Sequence, residues 1–126
     1  MLLDRRRHER FSLRPMYTWI ALRTPADADF VHEGHAYDIS ESGLRFELDH
    51  PVAPGTPVDL RIDIPAPADT RPEDREVRVR ATIVWLGDDE EPGPARLAAV
   101  FHGFATPADR ERLLRMLGSG RFARAA

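Results

Sequence analysis

Apolar and polar residues alternate along this chain in short runs separated by proline, glycine and acidic clusters, and a single segment near the end repeats its leucines at helical spacing. That pattern is all-β with one C-terminal helix. The clearest runs are Val58, Leu60, Ile62 and Ile64 against Asp59, Arg61 and Asp63, and Val77, Val79, Ala81, Ile83 and Trp85 against Arg78, Arg80, Thr82 and Val84. About six such strands are expected, spaced as in an antiparallel barrel or sandwich rather than in parallel β-α-β units. Thr106-Pro107-Ala108-Asp109 supplies the helix start: an N-cap, a proline at the first helical position and an acid at the third.

The elements follow in order. Residues 1–13 mix charge with few apolar positions and are expected to form a flexible arginine-rich arm, with Phe11 and Leu13 able to dock it. Met16 to Leu22, rich in aromatic and branched residues, is the first strand. Thr24 to Gly34 carries Pro25, Asp27, Asp29 and Glu33 and is expected to be a loop. His35 to Ser40 is a second strand, joined by a hairpin to a third over Gly43 to Leu48, where Leu44, Phe46 and Leu48 face one way. After the turn residues Pro51, Pro54, Gly55 and Pro57 comes the Val58–Ile64 strand. A charged loop from Pro65 to Arg75 leads to the long strand ending at Trp85. Gly87 to Pro94 is acidic and turn-forming, and Ala95 to Gly103 is the last strand. The helix spans 106–117 with Leu113, Leu114 and Leu117 on one face, to plug a barrel mouth or meet a partner. Gly118 is placed to take a left-handed stop. Residues 14–118 thus form one domain, and 119–126 a tail.

Composition narrows the function. The 126 residues fit one core. Net charge is −3, and all 18 basic residues are arginine. Residues 1–14 sum to +3 and the rest to −6. A basic patch on an acidic body suits a small anion better than a long polyanion, whose distant phosphates the body repels. The absence of cysteine excludes disulfides and thiol chemistry. No apolar run reaches signal-peptide or membrane-span length, so a soluble cytoplasmic protein is expected. There is no glycine-rich loop ending in Lys and no G-x-S-x-G elbow, and no base, nucleophile and orienting group assemble, so no enzyme is expected. His32 and His35 lack a third metal ligand nearby in sequence. Asp88, Asp89, Glu90 and Glu91 precede Pro92-Gly93-Pro94 and suit a solvated turn better than a cation site.

Two stretches carry chemistry: Arg5, Arg6, Arg7 and Arg10 in the arm, and Asp38-Ile39-Ser40-Glu41-Ser42-Gly43. Asp38 and Ser40 are two apart, so a regular strand presents both on one face. Gly43 supplies either a left-handed or a close-approach backbone for the reversal. A carboxylate beside a hydroxyl accepts the N–H donors of a purine edge, and guanidinium groups fork onto phosphate or onto guanine O6 and N7. Together these describe a guanine nucleotide clamp. Taken singly, an arginine run is a solvated tail and D-x-S an Asx- or Ser-type turn.

Arg6-x-x-x-Arg10 followed by Asp38-x-Ser40-x-x-Gly43 resembles the paired signature of the PilZ domain, a family of small bacterial β-barrels that bind cyclic di-GMP. The strand pattern and terminal helix extend that resemblance over nearly the whole chain. It implies a six-stranded antiparallel barrel with a C-terminal helix. It also implies that Arg6 and Arg10 hold phosphates and guanine faces while Asp38, Ser40 and Gly43 read a guanine. Arg5, just before the motif, stands where an arginine stacks on a second guanine, so the ligand is expected as an intercalated pair. Arg7, Arg78 and Arg80 are additional candidates. With no output domain recognisable, the signal would pass to a downstream protein. Two other readings compete: a barrel binding single-stranded nucleic acid through the arm with Tyr17 or Trp19 as stacking platforms, and a ligand-free adaptor of the same fold.

Overall fold

The computed structural model describes residues 9–13, 18–87, 93–120 and 122. Seven strands and two helices follow one another as β1 (Phe11–Ser12), β2 (Trp19–Arg23), β3 (His32–Ile39), β4 (Gly43–Leu48), β5 (Pro57–Asp63), α1 (Pro72–Arg75), β6 (Glu76–Leu86), β7 (Ala95–Phe104) and α2 (Pro107–Leu117). The sheet runs β1-β3-β2-β5-β6-β7-β4, and β3 also pairs with β4. That last pairing closes β3-β2-β5-β6-β7-β4 into a six-stranded antiparallel barrel, which leaves no long open edge. β1 is a two-residue addition that continues β3 beyond the end of β2.

Alternation builds the interior. Phe46, Leu48, Leu60, Ile62, Val77, Ile83 and Leu97 are all essentially inaccessible, and Leu113 from α2 enters the same core. Leu113 thus plugs the barrel, with Met116 and Leu117 packed beside it. Where β3 crosses β4, Gly34 lies opposite Leu48. A Cβ at Gly34 would sit 1.8 Å from the Glu47 carbonyl oxygen, so only glycine permits the approach.

α2 begins as its sequence demands. The Thr106 hydroxyl accepts from the Asp109 N–H, and the Asp109 carboxylate accepts from the Thr106 N–H and hydroxyl, closing a capping box. The other Asp109 oxygen accepts from the backbone N–H of Arg78 at 2.9 Å and from Arg112 at 2.8 Å. This carboxylate, only 3 % exposed, therefore ties the helix start to β6. Burial pushes its pKa up, but the hydrogen bonds from Thr106, Arg78 and Arg112 outweigh burial and hold it below the usual carboxylate value.

Several boundaries differ from expectation. β2 is described from Trp19, Met16 and Tyr17 lying outside the described residues. β3 starts at His32, three residues early, because Glu33 and His32 pair with Ala21 and Leu22. The Pro65–Arg75 loop contains α1, started by Pro72 and kept to one turn by the extended conformation of Glu76. Gly118 is right-handed (φ −80°), and the positive φ falls on Gly120. At the end of the expected arm, β1 joins the sheet and Leu13 is buried. Of the expected tail, Phe122 packs against the core.

Asp109→Asn is expected to lower stability at pH 7 by about 2 kcal/mol, the scale of hydrogen bonds lost from a charged acceptor. Because folding depresses this pKa, the contribution is complete above the ordinary value of 3.8, shrinks as pH falls below it, and is gone beneath the folded-state value. Urea unfolding at pH 7 and pH 3 should therefore show a larger loss on acidification in wild type than in the variant.

Candidate functional site

The two chemical stretches meet through strand pairing. Phe11 lies opposite Ile39 and Ser12 opposite Asp38, and the Leu13 N–H donates to the Tyr37 carbonyl at 2.8 Å. In that antiparallel register Arg10 is the next residue out from Phe11, level with Ser40. Leu13, in the core, pins the arm there. Arg5, Arg6 and Arg7 lie outside the described residues.

An irregularity in β3 determines where Asp38 points. Ala36 pairs with Phe46 and Asp38 with Arg45, so Tyr37 is an extra residue, a β-bulge. Gly34 and Ala36 face inward, and without the bulge Asp38 would follow them into the core. With it, Ile39 becomes the buried residue instead, fully inaccessible, and Asp38 moves to the outer face. Its side chain is 14 % exposed, and Oδ2 lies 3.8 Å from Nη1 of Arg45. The Tyr37 hydroxyl hydrogen-bonds Glu47, and burial, then this bond, push its pKa up to about 12.

Ser40 and Gly43 shape the turn. The Ser40 N–H donates to the Gly43 carbonyl at 2.9 Å, and the Ser40 hydroxyl accepts from the Ser42 N–H at 3.1 Å. Gly43 does not have a positive φ. Its role is the second of the two foreseen: a Cβ there would come within 2.8 Å of the Ala99 carbonyl oxygen, so its lack of a side chain lets β4 lie against β7. The Phe101 N–H, donating to the Ser42 carbonyl at 2.8 Å, fixes the turn from the other side. The result is a corner in which a largely covered carboxylate, a hydrogen-bonded turn of backbone and the end of the arm at Arg10 lie together.

A family model, the PilZ domain, matches residues 4–119. This chain belongs to the PilZ domain family. PilZ domains are non-enzymatic receptors for cyclic di-GMP. Among solved structures, the PilZ domain of Escherichia coli YcgR with c-di-GMP is similar at 17% identity and a TM-score of 0.67, over 92% of this chain and 91% of that one. The Bacillus subtilis inhibitor of motility MotI/DgrA matches at 15% identity and a TM-score of 0.64, over 91% of this chain and 50% of its own. The K. pneumonia MrkH–c-di-GMP complex matches at 18% and 0.63, over 92% and 51%. The PilZ chain described here thus spans about half the length of the last two. No curated protein matches it in sequence.

The remaining candidates are dispersed. Arg78 and Arg80 stand on β6, three strands from β3 whichever way the barrel is followed, so the PilZ fold turns them away from Asp38. Arg78 instead pairs with Glu76 at 3.4 Å and, with Arg23 and Arg61, surrounds the Phe30 ring. Trp19, expected in the core, is 49 % exposed and packs on His35. It lines a cleft with Glu33, Asp63, Glu73 and Glu76 together with Arg61 and Arg75, a mixed lining in which carboxylates outnumber guanidinium groups. Tyr17 and the Asp88–Glu91 run lie outside the described residues. His32 sits between Asp27 and Asp49, 3.5 and 3.7 Å away, and among the described residues no group of three or more side chains is arranged to hold a metal. No described helix is long and apolar enough to cross a membrane. Sequence reading missed Arg45, taken only as an outward strand residue. Its pairing with Asp38 depends on the bulge, which no motif announces.

Gly43→Ala is expected to destabilise the fold by about 1–3 kcal/mol, because the added methyl meets a backbone oxygen that cannot swing away. Gly103→Ala is the control, since nothing lies within 4 Å of a Cβ at that position. Denaturant melts of the two variants should differ by that amount.

Proposed function

We propose that this chain is a cyclic di-GMP receptor whose site is formed by Arg5, Arg6 and Arg10 of the arm and by Asp38, Ser40 and Gly43 of the β3–β4 turn, with Arg7 at its margin. The observation that carries this reading is the β1–β3 pairing, which brings the Arg10 end of one signature level with Ser40 of the other. Both halves of a clamp are then anchored in one sheet, and little conformational entropy remains to be lost between them on binding. Two solved relatives, the YcgR PilZ domain and MrkH, hold c-di-GMP. Arg78 and Arg80 are left out, on the far side of the barrel.

In this reading the doubly charged dinucleotide sits between cationic arm and carboxylate turn. The arginines take phosphate and guanine faces, Asp38 accepts from guanine N–H groups, and Arg5 stacks on a second guanine of an intercalated pair. Fixing the arm over the turn changes the surface offered to a downstream cytoplasmic protein, by no more than the ligand's differential affinity for the two arrangements.

Arg10→Ala is expected to weaken cyclic di-GMP binding by about 1.5–3 kcal/mol, the worth of a hydrogen bond to a charged group, with the fold intact. Asp38→Ala should bring cyclic di-GMP and cyclic di-AMP to comparably weak affinity, and Arg5→Leu should lower the ligand ratio from two per chain towards one. Titration calorimetry measures all three. Wild-type affinity in Arg10→Ala, or retained guanine preference in Asp38→Ala, counts against the site.

A further inference from the structure

We propose that the cavity between the α1 loop and the second half of α2 is a binding site for a small phosphomonoester with an apolar body. It is separate from the cyclic di-GMP corner and does not depend on that reading.

A pinned loop and one helix face build the cavity. The Ile64 N–H donates to the Arg75 carbonyl at 2.8 Å, which closes residues 65–74 into an excursion that carries α1. Arg112, Arg115 and Met116 fall at i, i+3 and i+4, on one face of α2. Between loop and helix lies a cavity of about 420 Å³, whose lining combines apolar Ile64, Pro65 and Met116 with Arg75, Arg112 and Arg115. Small-ligand sites run from roughly 300 to 1,000 Å³, so a compact molecule fits.

Two of the three guanidinium groups lack a counter-charge. Arg112 donates from Nε to the Glu76 carbonyl and from Nη2 to Asp109, both at 2.8 Å, so its charge is met and its remaining N–H groups are held in place. The side chains of Arg75 and Arg115 form no hydrogen bond or ion pair among the described residues. Nε of Arg75 is covered and unbonded. A guanidinium keeps its proton at any working pH, so this donor cannot be relieved by deprotonation. With no acceptor holding the group, a rotation about the side chain presents Nε and one Nη side by side to an oxyanion and satisfies the orphaned N–H. Complementing the helix dipole accounts for Arg115 in the last turn of α2. It does not account for an unbonded Arg75 on the lining of the same cavity.

The ligand class follows from charge and shape. Two unpartnered cations match a phosphomonoester, which carries about −1.5 to −2 at neutral pH. Its three terminal oxygens can meet guanidinium groups that approach from a loop and from a helix, whereas a carboxylate offers two oxygens in one plane. Thr70 adds a hydroxyl to the lining. The carboxylate on that lining, Asp74, is exposed, and solvent screens it. The apolar residues suit a carbon body beside the phosphate, so an organic ester is favoured over the inorganic ion.

Phenyl phosphate is the probe, titrated into the full chain and followed by proton–nitrogen NMR spectra that include the arginine Nε–H signals. Saturable binding tighter than that of inorganic phosphate is expected, with the Arg75 Nε–H signal moving. Arg75→Met and Arg115→Met should each weaken phenyl phosphate by about tenfold, the scale of one charge-assisted hydrogen bond. Arg110→Met, which removes an exposed arginine of α2 outside the cavity lining, should leave the affinity unchanged. Binding that does not saturate, or equal weakening in Arg110→Met, overturns the site. Displacement of phenyl phosphate by cyclic di-GMP also overturns it, because the probe would then occupy the other corner. Arg115 is exposed, so its variant tests the site even if Arg75→Met fails to match the wild-type thermal melt. A wild-type chain that binds phenyl phosphate but not cyclic di-GMP supports this site while removing the receptor reading.

Discussion

One extra residue in one strand governs the chemistry of this barrel. In a regular β3, the inward positions Gly34 and Ala36 would be followed by Asp38 and then Ser40, and a carboxylate would enter an apolar interior. Burying an unpaired carboxylate costs several kcal/mol, enough to consume much of a small domain's stability. The bulge at Tyr37 resets the parity, so Ile39 fills the core position and Asp38 is delivered to the surface. It also keeps Asp38 beside Arg45 and leaves the end of β3 free to receive β1. A change of parity at this point would move the side chains of Asp38 and Ile39 to opposite faces.

The arm is held for a complementary reason. A basic segment attached only by its charge would be screened at physiological salt and would reach the turn rarely. Here the attachment is apolar and backbone-mediated: Leu13 is in the core and its N–H is bonded to Tyr37. Arg10 is therefore kept at the corner without depending on its charge for its location. The same bulge residue that turns Asp38 outward offers the carbonyl that anchors the arm, so carboxylate and cation are positioned by one piece of backbone.

What could be read from the sequence was whatever depends on local period or local chemistry. The Leu44–Phe46–Leu48 and Leu60–Ile62 alternations specify inward faces, and Thr106-Pro107 with Asp109 specifies a helix start; each was found where expected. Features set by a partner strand were not legible. Trp85 alternates in phase with Ile83 in the sequence, yet β6 shifts register against β7 between them, and Trp85 emerges 47 % exposed. Trp19 looks like core because its neighbours are apolar, but its position in β2 puts it outside against His35. Gly118 had the residue type for a left-handed stop, whereas the chain continues right-handed and bonds its N–H back to Leu114. The candidate site divides along the same line. Its motif residues could be named from sequence, while Arg45, and the separation of Arg78 and Arg80 from the rest, required the closed topology.

That topology also lets a protein with net negative charge keep walls of different electrostatic character apart. Around a closed barrel, outward residues of opposite strands cannot approach one another, so each wall carries its own electrostatic character. On the β2–β5–β6 wall, Arg23, Arg61 and Arg78 gather round Phe30 and are matched by Asp59 and Glu76, so their charge is spent internally. At the β1–β3–β4 corner, β1 brings Arg10 level with Ser40, beside the strand that carries Asp38. A compact dinucleotide that carries its own guanine donors suits such a corner, because it meets cation and carboxylate at once. In the proposed reading, preference for a small ligand would follow from charge being partitioned by the fold rather than from the sign of the total.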